Sequence, residues 1–231
     1  MRRFSQCICH QHDSDIMVRT RIKICGITRP EDASRAGELG VDAVGIVFHP
    51  DSPRAVTPEQ AGDVVAALPP FVTPVALFLD PQSADVEQVL TRVRVGMLQF
   101  HGSESAAFCR QFGRPWIKAL GVGDGADPDA IAADYPDAAG LLVDGHARGA
   151  AGGSGQQADW ARLRGKRRYR LILAGGLAPS NVAQAVCTVR PDAVDVSTGV
   201  ECAKGCKDAN LMSQFIEEVR RGDRVAGPGN D

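Results

Sequence analysis

The sequence predicts an α/β fold, a single (β/α)8 TIM barrel, on three observations. Short runs rich in Val, Ile, Leu and Ala recur eight times, and stretches of amphipathic helical spacing lie between them. Polar and glycine residues gather just after the apolar runs. Strands that alternate with helices pair in parallel through right-handed crossovers, and strands buried on both faces read as nearly unbroken apolar runs. No ninth run or split half is visible, which favours a closed barrel over an open doubly wound sheet. The 231 residues suit one such domain, which typically needs about 250.

The strands are expected at Ile22–Gly26, Ala43–Phe48, Val75–Leu79, Gly96–Phe100, Trp116–Leu120, Gly140–Val143, Leu171–Ala174 and Ala193–Val196. Helices are expected to open at Pro30, Pro58, Ser83, Ser103, Pro128, Gln157, Pro179 and Asp208. Several of these are Ser or Asp caps, or prolines whose missing N–H costs nothing in a first helical turn. Residues 1–20 lack either periodicity and read as a disordered N-terminal extension. The barrel then spans 21–222, and 223–231 form a flexible C-terminal tail.

Composition narrows the function. The apolar fraction is 44%, the charged fraction 23% and the net charge −2. No basic field points to nucleic acid, and no apolar run approaches the ~20 residues of a membrane span. Seven cysteines without a spaced framework fit a reducing cytoplasm better than secretion. Cys7, Cys9, His10 and His12 cluster near the N-terminus, but a structural zinc site needs a second ligand cluster, and none follows. No metal and no cofactor is expected, and a monomer is expected because no heptad or long apolar edge is visible.

In this fold the active site lies at the C-terminal ends of the strands. Those ends carry Cys25, Phe48 to Arg54, Asp80, Gln99 and His101, Asp144, Gly175–Gly176, and Asp195 to Gly199. Three glycine-bearing turns lie late in the chain: Gly152-Gly153-Ser154-Gly155, Gly175-Gly176 and Ser197-Thr198-Gly199. Loops after strands 7 and 8 often bind phosphate in this fold, and glycine lets backbone N–H groups approach an anion. Gly121-Val122-Gly123-Asp124-Gly125 lacks the spacing of a dinucleotide fingerprint and reads as a loop. Arg54 offers a guanidinium for a bidentate pair with a substrate carboxylate, or is a loop arginine in solvent. Cys25 reads equally as a reactive thiol or as a small apolar filler. Asp144 follows Leu141-Leu142-Val143, and desolvation at the mouth favours a protonated carboxyl, which makes it a candidate acid. His101 and Asp195 are substrate contacts or orienting groups; spacing alone does not separate these roles.

Six segments in order resemble the phosphoribosylanthranilate isomerase family. They are Lys23-Ile24-Cys25-Gly26-Ile27-Thr28, Ser52-Pro53-Arg54-Ala55-Val56, Leu98-Gln99-Phe100-His101-Gly102, Gly152-Gly153-Ser154-Gly155, Leu173-Ala174-Gly175-Gly176-Leu177 and Asp195-Val196-Ser197-Thr198-Gly199-Val200-Glu201. The match runs from about Arg21 to Val219. The resemblance implies conversion of N-(5-phosphoribosyl)anthranilate to 1-(2-carboxyphenylamino)-1-deoxyribulose 5-phosphate in tryptophan biosynthesis. It implies Cys25 as general base, Asp144 as general acid and Arg54 as the contact to the anthranilate carboxylate. Gln99, His101 and Asp195 are expected to touch substrate. Gly153, Gly155, Gly175, Gly176, Ser197, Thr198 and Gly199 are expected to hold its phosphate. The only partner implied is this small phosphorylated molecule.

Acid–base catalysis of this kind needs a thiolate and a protonated carboxyl, both minority forms at pH 7 unless the site shifts them. Burial is expected to favour the acid form of Asp144, and a nearby positive or dipolar field to stabilise the Cys25 thiolate. Departures from the family pattern are small: Ser154 for threonine, Thr198 for serine and Phe100 for leucine. The stretch Ala203-Lys204-Gly205-Cys206-Lys207-Asp208 differs more, and Cys202 and Cys206 read as incidental thiols. Rival readings are another phosphosugar barrel, an epimerase or a histidine-pathway isomerase, and a barrel that binds a phosphorylated ligand without turnover. The epimerase needs metal-binding groups on several strand ends, and the histidine-pathway isomerase needs aspartates where this chain has Cys25 and Leu120-Gly121-Val122.

Overall fold

Eight short parallel strands close on themselves in sequence order, β8 pairing back onto β1. The structure is a computed structural model that describes residues 19–122, 126–145, 159–165 and 167–226. The strands are β1 (Arg21–Cys25), β2 (Ala43–Val47), β3 (Thr73–Phe78), β4 (Met97–Phe100), β5 (Trp116–Gly121), β6 (Gly140–Asp144), β7 (Leu171–Leu173) and β8 (Ala193–Val196). The seam is in register from Arg21↔Ala193 to Ile24↔Val196. All eight predicted strands are present. β1 stops one residue early because Gly26, at φ +74°, turns the chain away.

The helices α1 (Pro30–Glu38), α2 (Pro58–Ala66), α3 (Ser83–Arg92) and α5 (Pro128–Ala132) open where the sequence predicts. Thr57 and Gln60 form a reciprocal capping box at the start of α2, which satisfies two otherwise orphan N–H groups. Three helices start later than predicted. α4 (Ala106–Arg110) is capped by Ser105, because Ser103 N is taken by Asp80 Oδ1 at 2.6 Å. α6 (Val182–Val189) starts after Asn181 Oδ1 accepts from Ala178 N at 2.9 Å. α7 (Ala209–Ala226) follows Asp208, whose Oδ1 accepts from Asn210 N and Leu211 N. Between β6 and β7 the described residues hold only a 3-10 turn, Trp160–Leu163, in place of the α-helix predicted there; its predicted start, Gln157, lies outside the described residues.

The fold reaches slightly beyond the boundaries of 21 and 222 read from sequence. Thr20 N and Oγ1 both donate to the Asp223 carboxylate, and Arg19 makes a two-pronged contact to Asp42. The helix held in this way to the residue before the first strand continues to Ala226.

Strand side chains alternate between two faces, and the faces differ. Outward residues such as Ile24, Ile46, Phe78, Leu98 and Val194 form the large core with the helices. Inward ones, Ile117, Ala119, Leu142, Ile172 and Ala174, plug the barrel, with Cys25, Val47 and Leu77 above. One outward position is a buried lysine. Lys118 Nζ donates to Glu104 Oε2 at 2.9 Å, to the Phe100 carbonyl at 3.4 Å and to the Gly102 carbonyl. Glu104 Oε1 in turn accepts from Asp80 N at 2.8 Å and Gly102 N at 3.2 Å. The pair thereby fixes the loops after β3 and β4, and with them the rim that carries His101.

Candidate active site

The alternation Ile22-Lys23-Ile24-Cys25 sends Lys23 and Cys25 into the barrel while the two isoleucines join the outer core. Both inward side chains converge on Gly45, the Cα partner of Cys25 on β2. A Cβ at 45 would lie 2.7 Å from Cys25 Sγ and 3.0 Å from Lys23 Nζ, so glycine leaves the space in which thiol and ammonium meet. The ammonium therefore acts directly on the thiol. Lys23 Nζ also donates to Asp195 Oδ1 at 2.9 Å across the β1–β8 seam, with side chains 5% and 9% exposed.

Burial pushes the Cys25 thiol above its ordinary value; Lys23 and Lys207 press it down and Asp195 pushes it up. The positive field expected beside Cys25 is therefore present, but its expected net effect is corrected: desolvation outweighs it, and the resting site favours the thiol. For Lys23 burial acts downward, yet Asp195 and Cys25 together hold the ammonium above its ordinary range. Burial raises Asp195 in spite of Lys23.

A second network flanks the first. A Cβ on Gly26 would lie 2.3 Å from Arg54 Cδ, so only glycine lets the Arg54 side chain cross the end of β1. Arg54 Nε and Nη2 each donate to Glu201 at 2.7 Å, and Nη2 donates to Thr198 Oγ1 at 3.2 Å. Lys207 Nζ donates to Glu201 Oε1 at 2.7 Å and to the Ser197 carbonyl at 3.1 Å. Burial would raise the Glu201 carboxyl, but its bonds to Arg54 and Lys207 hold it below the usual range. Lys207 is lowered by burial against the pull of Glu201. The bidentate fork predicted for a substrate carboxylate is thus directed at Glu201. Nη1 makes no hydrogen bond to a described residue and is the end left to face a ligand.

The predicted residues meet around one cavity of about 260 Å³. Cys25, Arg54, His101, Asp144 and Asp195 line it, from β1, β2, β4, β6 and β8 or the loops that follow. Gly175, Gly176, Ser197, Thr198 and Gly199 form another wall. Gly175 and Gly176 adopt φ +82° and +63°, and a Cβ on Gly199 would lie 2.0 Å from the Leu177 carbonyl oxygen. The loops after β7 and β8 therefore touch backbone to backbone. Gly153 and Gly155 lie outside the described residues, as does the cluster Cys7, Cys9, His10 and His12. Gln99 is corrected: it is fully buried and does not line the cavity. Its Nε2 lies 3.2 Å from His101 Nδ1, because residues two apart on a strand share a face at different depths; it supports His101 from beneath. Asp144 is 7% exposed.

Sequence reasoning missed Lys23, Lys207 and the role of Glu201. Lys23 was visible in principle, two residues before Cys25 on the same face of a strand. Lys207 and Glu201 were not, since nothing local shows that a ribbon late in the chain folds back onto Arg54.

A closed barrel with a thiol, a carboxyl and charged networks gathered at the C-terminal rim of its strands defines a (β/α)8-barrel enzyme of the acid–base type. The profile of N-(5'-phosphoribosyl)anthranilate (PRA) isomerase matches residues 22–218, and the chain belongs to that family of aldose–ketose isomerases of tryptophan biosynthesis. N-(5'-phosphoribosyl)anthranilate isomerase of Nitrosococcus oceani is 50% identical over 202 residues, covering 87% of this chain and 98% of that protein. The Hahella chejuensis enzyme is 51% identical over 203 residues, with coverage of 88% and 95%. Among solved structures, phosphoribosyl anthranilate isomerase from Thermotoga maritima superposes with a TM-score of 0.79 at 40% identity, covering 87% of this chain and 98% of its own. A phosphoribosyl anthranilate isomerase solved in complex with reduced 1-(o-carboxyphenylamino)-1-deoxyribulose 5-phosphate superposes with a TM-score of 0.75 at 38% identity, with coverage of 87% and 98%.

Proposed function

We propose that this chain isomerises N-(5'-phosphoribosyl)anthranilate with Cys25 as base and Asp144 as acid. The observation that carries the assignment is that the two groups, from β1 and β6, face one cavity. Asp144 donates a proton to the furanose ring oxygen as the C1–O bond breaks and the aniline nitrogen lends its pair to C1, giving a Schiff base. Cys25, as thiolate, removes the proton at C2, and the released pair moves through C1 to nitrogen, giving an enolamine. Tautomerisation then yields the ketose. Each positioned acid or base contributes roughly 10²–10⁴-fold.

The other residues serve binding and charge. The glycine turns after β7 and β8 offer backbone N–H groups to the phosphate, and Nη1 of Arg54 offers an end-on contact to the anthranilate carboxylate, set by Glu201. Lys23, beside Cys25 and bonded to Asp195, is a positioning residue that supplies the countercharge when the thiolate forms. His101 and Asp195, which line the cavity from the β4 and β8 sides, serve as contacts to the sugar. The lack of a heptad or long apolar edge in the sequence supports a monomer, and cysteine usage supports a cytoplasmic location. The test generates phosphoribosylanthranilate in situ and follows its fluorescence loss in wild type, Cys25→Ala and Asp144→Ala. Fast turnover that collapses in both variants supports the assignment. An inactive wild type removes the activity, and active variants remove the mechanism.

A further inference from the structure

Cys202 and Cys206 take no part in the chemistry above. They sit on an antiparallel ribbon, β9 (Glu201–Ala203) and β10 (Cys206–Lys207). Its pairing runs Ala203↔Cys206 and then Glu201↔Lys207, with a register shift between Cys206 and Lys207. Cys202 is thus the extra residue of a bulge, and bulges re-aim side chains. Here the two sulfurs come within 3.2 Å, and Cys202 Sγ also lies 3.5 Å from the Cys206 carbonyl oxygen. Cys202 is exposed and Cys206 half-buried, whereas Cys25 and Cys109 are buried.

We propose that Cys202 and Cys206 form an oxidisable dithiol, a modification site at which a low-molecular-weight disulfide leaves an intramolecular disulfide that tightens the ribbon holding Arg54. Cys202, the more exposed, loses its proton to water and attacks one sulfur of the small disulfide. A mixed disulfide forms, and one small thiolate departs and takes up a proton. Cys206 then loses its proton and attacks the Cys202 sulfur, displacing the second small thiol. Two electrons pass from the two cysteines to the small disulfide, which ends as two thiols. The sulfurs need only move from 3.2 Å to a bond of about 2.05 Å, a shift that side-chain rotation absorbs.

The ribbon is already a clasp. Thr28 Oγ1 donates to the Gly205 carbonyl at 2.5 Å, and Lys207 N donates to Asp32 Oδ2 at 3.1 Å. Glu201 immediately precedes Cys202 and Lys207 immediately follows Cys206, so the dithiol closes between the carboxylate that accepts from Arg54 and the lysine that donates to that carboxylate. A disulfide there restrains the unfolded chain and pins both ends of the clasp. Cytosolic disulfides are typically transient or redox-sensing, which suits an exposed, reversible pair.

The experiment equilibrates the purified full chain with oxidised glutathione, alkylates free thiols and digests with trypsin. Cleavage after Lys204 parts the two cysteines, so a disulfide leaves two peptides covalently joined. The expected result is that joined species, lost on treatment with dithiothreitol, with Cys206→Ser arrested as a glutathione adduct on Cys202. The oxidised wild type gains a few degrees in Tm, and neither Cys202→Ser nor Cys206→Ser does. The Tm comparison is repeated in Cys7→Ser/Cys9→Ser, which removes the other close pair in the sequence. Two alkylated cysteines, or two separate glutathione adducts in the wild type, would overturn the dithiol. A joined pair with unchanged Tm would overturn the tightening.

Discussion

Two buried lysine–carboxylate pairs, each closed at 2.9 Å, lie on opposite faces of the same barrel wall. Lys118 and Glu104, on the outer face, are bonded by backbone, two carbonyls on the lysine and two N–H groups on the carboxylate. The Tyr135 ring and the buried Cys109 thiol lie nearby, but neither member of the pair lines the cavity. Lys23 and Asp195, on the inner face, meet a titratable thiol and an open cavity. The pairs are alike in length and burial, so neither property assigns a role. The setting does: a pair bonded by peptide groups away from the cavity staples loops, whereas one beside Cys25 at the open cavity sets where a proton resides.

The comparison can be broken most forcefully at the reacting groups. Cys25→Ala and Asp144→Ala should each lower kcat by roughly 10²–10⁴-fold with the denaturation midpoint little changed, read by the isomerase assay beside urea unfolding. Next come the two lysines. Lys118→Met leaves Glu104 buried without its cation and should cost about 3–5 kcal/mol of stability, while kcat per folded molecule stays close to wild type. Adding Glu104→Gln should recover part of that loss. Lys23→Met should instead depress kcat and move the rising limb of kcat/KM to higher pH, because the thiolate loses its nearest countercharge. Equal pH profiles for Lys23→Met and wild type would place both pairs in the structural class.

The pH dependence of the wild type sharpens the same point. The raised Cys25 thiol predicts that kcat/KM climbs with pH through the neutral range instead of staying flat between pH 5 and 9. Stability should run the other way. Burial holds Cys25 above its ordinary value and pushes Cys109 up to about 12. Their contribution is fully present below the unfolded thiol value of about 8.5 and is lost as pH rises from there towards about 12, since the unfolded chain ionises first. Urea midpoints should therefore fall across that alkaline window. The smallest effect is expected far from the site: Thr57→Ala removes the α2 cap and should cost about 1 kcal/mol with activity unchanged in the same assay.

The sequence by itself determined the eight strands, because a parallel strand buried on both faces must be apolar along its length, and that signal is local. It determined the rim as well, since polar residues at strand ends such as Asp144 and His101 have nowhere else to point. Helix starts were legible where a proline stood in the first turn, as at Pro30 and Pro58. They were misplaced where a distant side chain claimed the cap, as Asp80 does at Ser103. Only the tertiary structure decided what the site residues do to one another. Gln99 and His101 share a face and differ in depth, and depth depends on how the barrel closes. Arg54 turns to Glu201, 147 residues away in the chain, and Lys23 bonds Asp195 across the seam at a separation of 172. Charge neighbours of that kind, with the desolvation that lifts the Cys25 thiol, arise only when strand 8 pairs with strand 1.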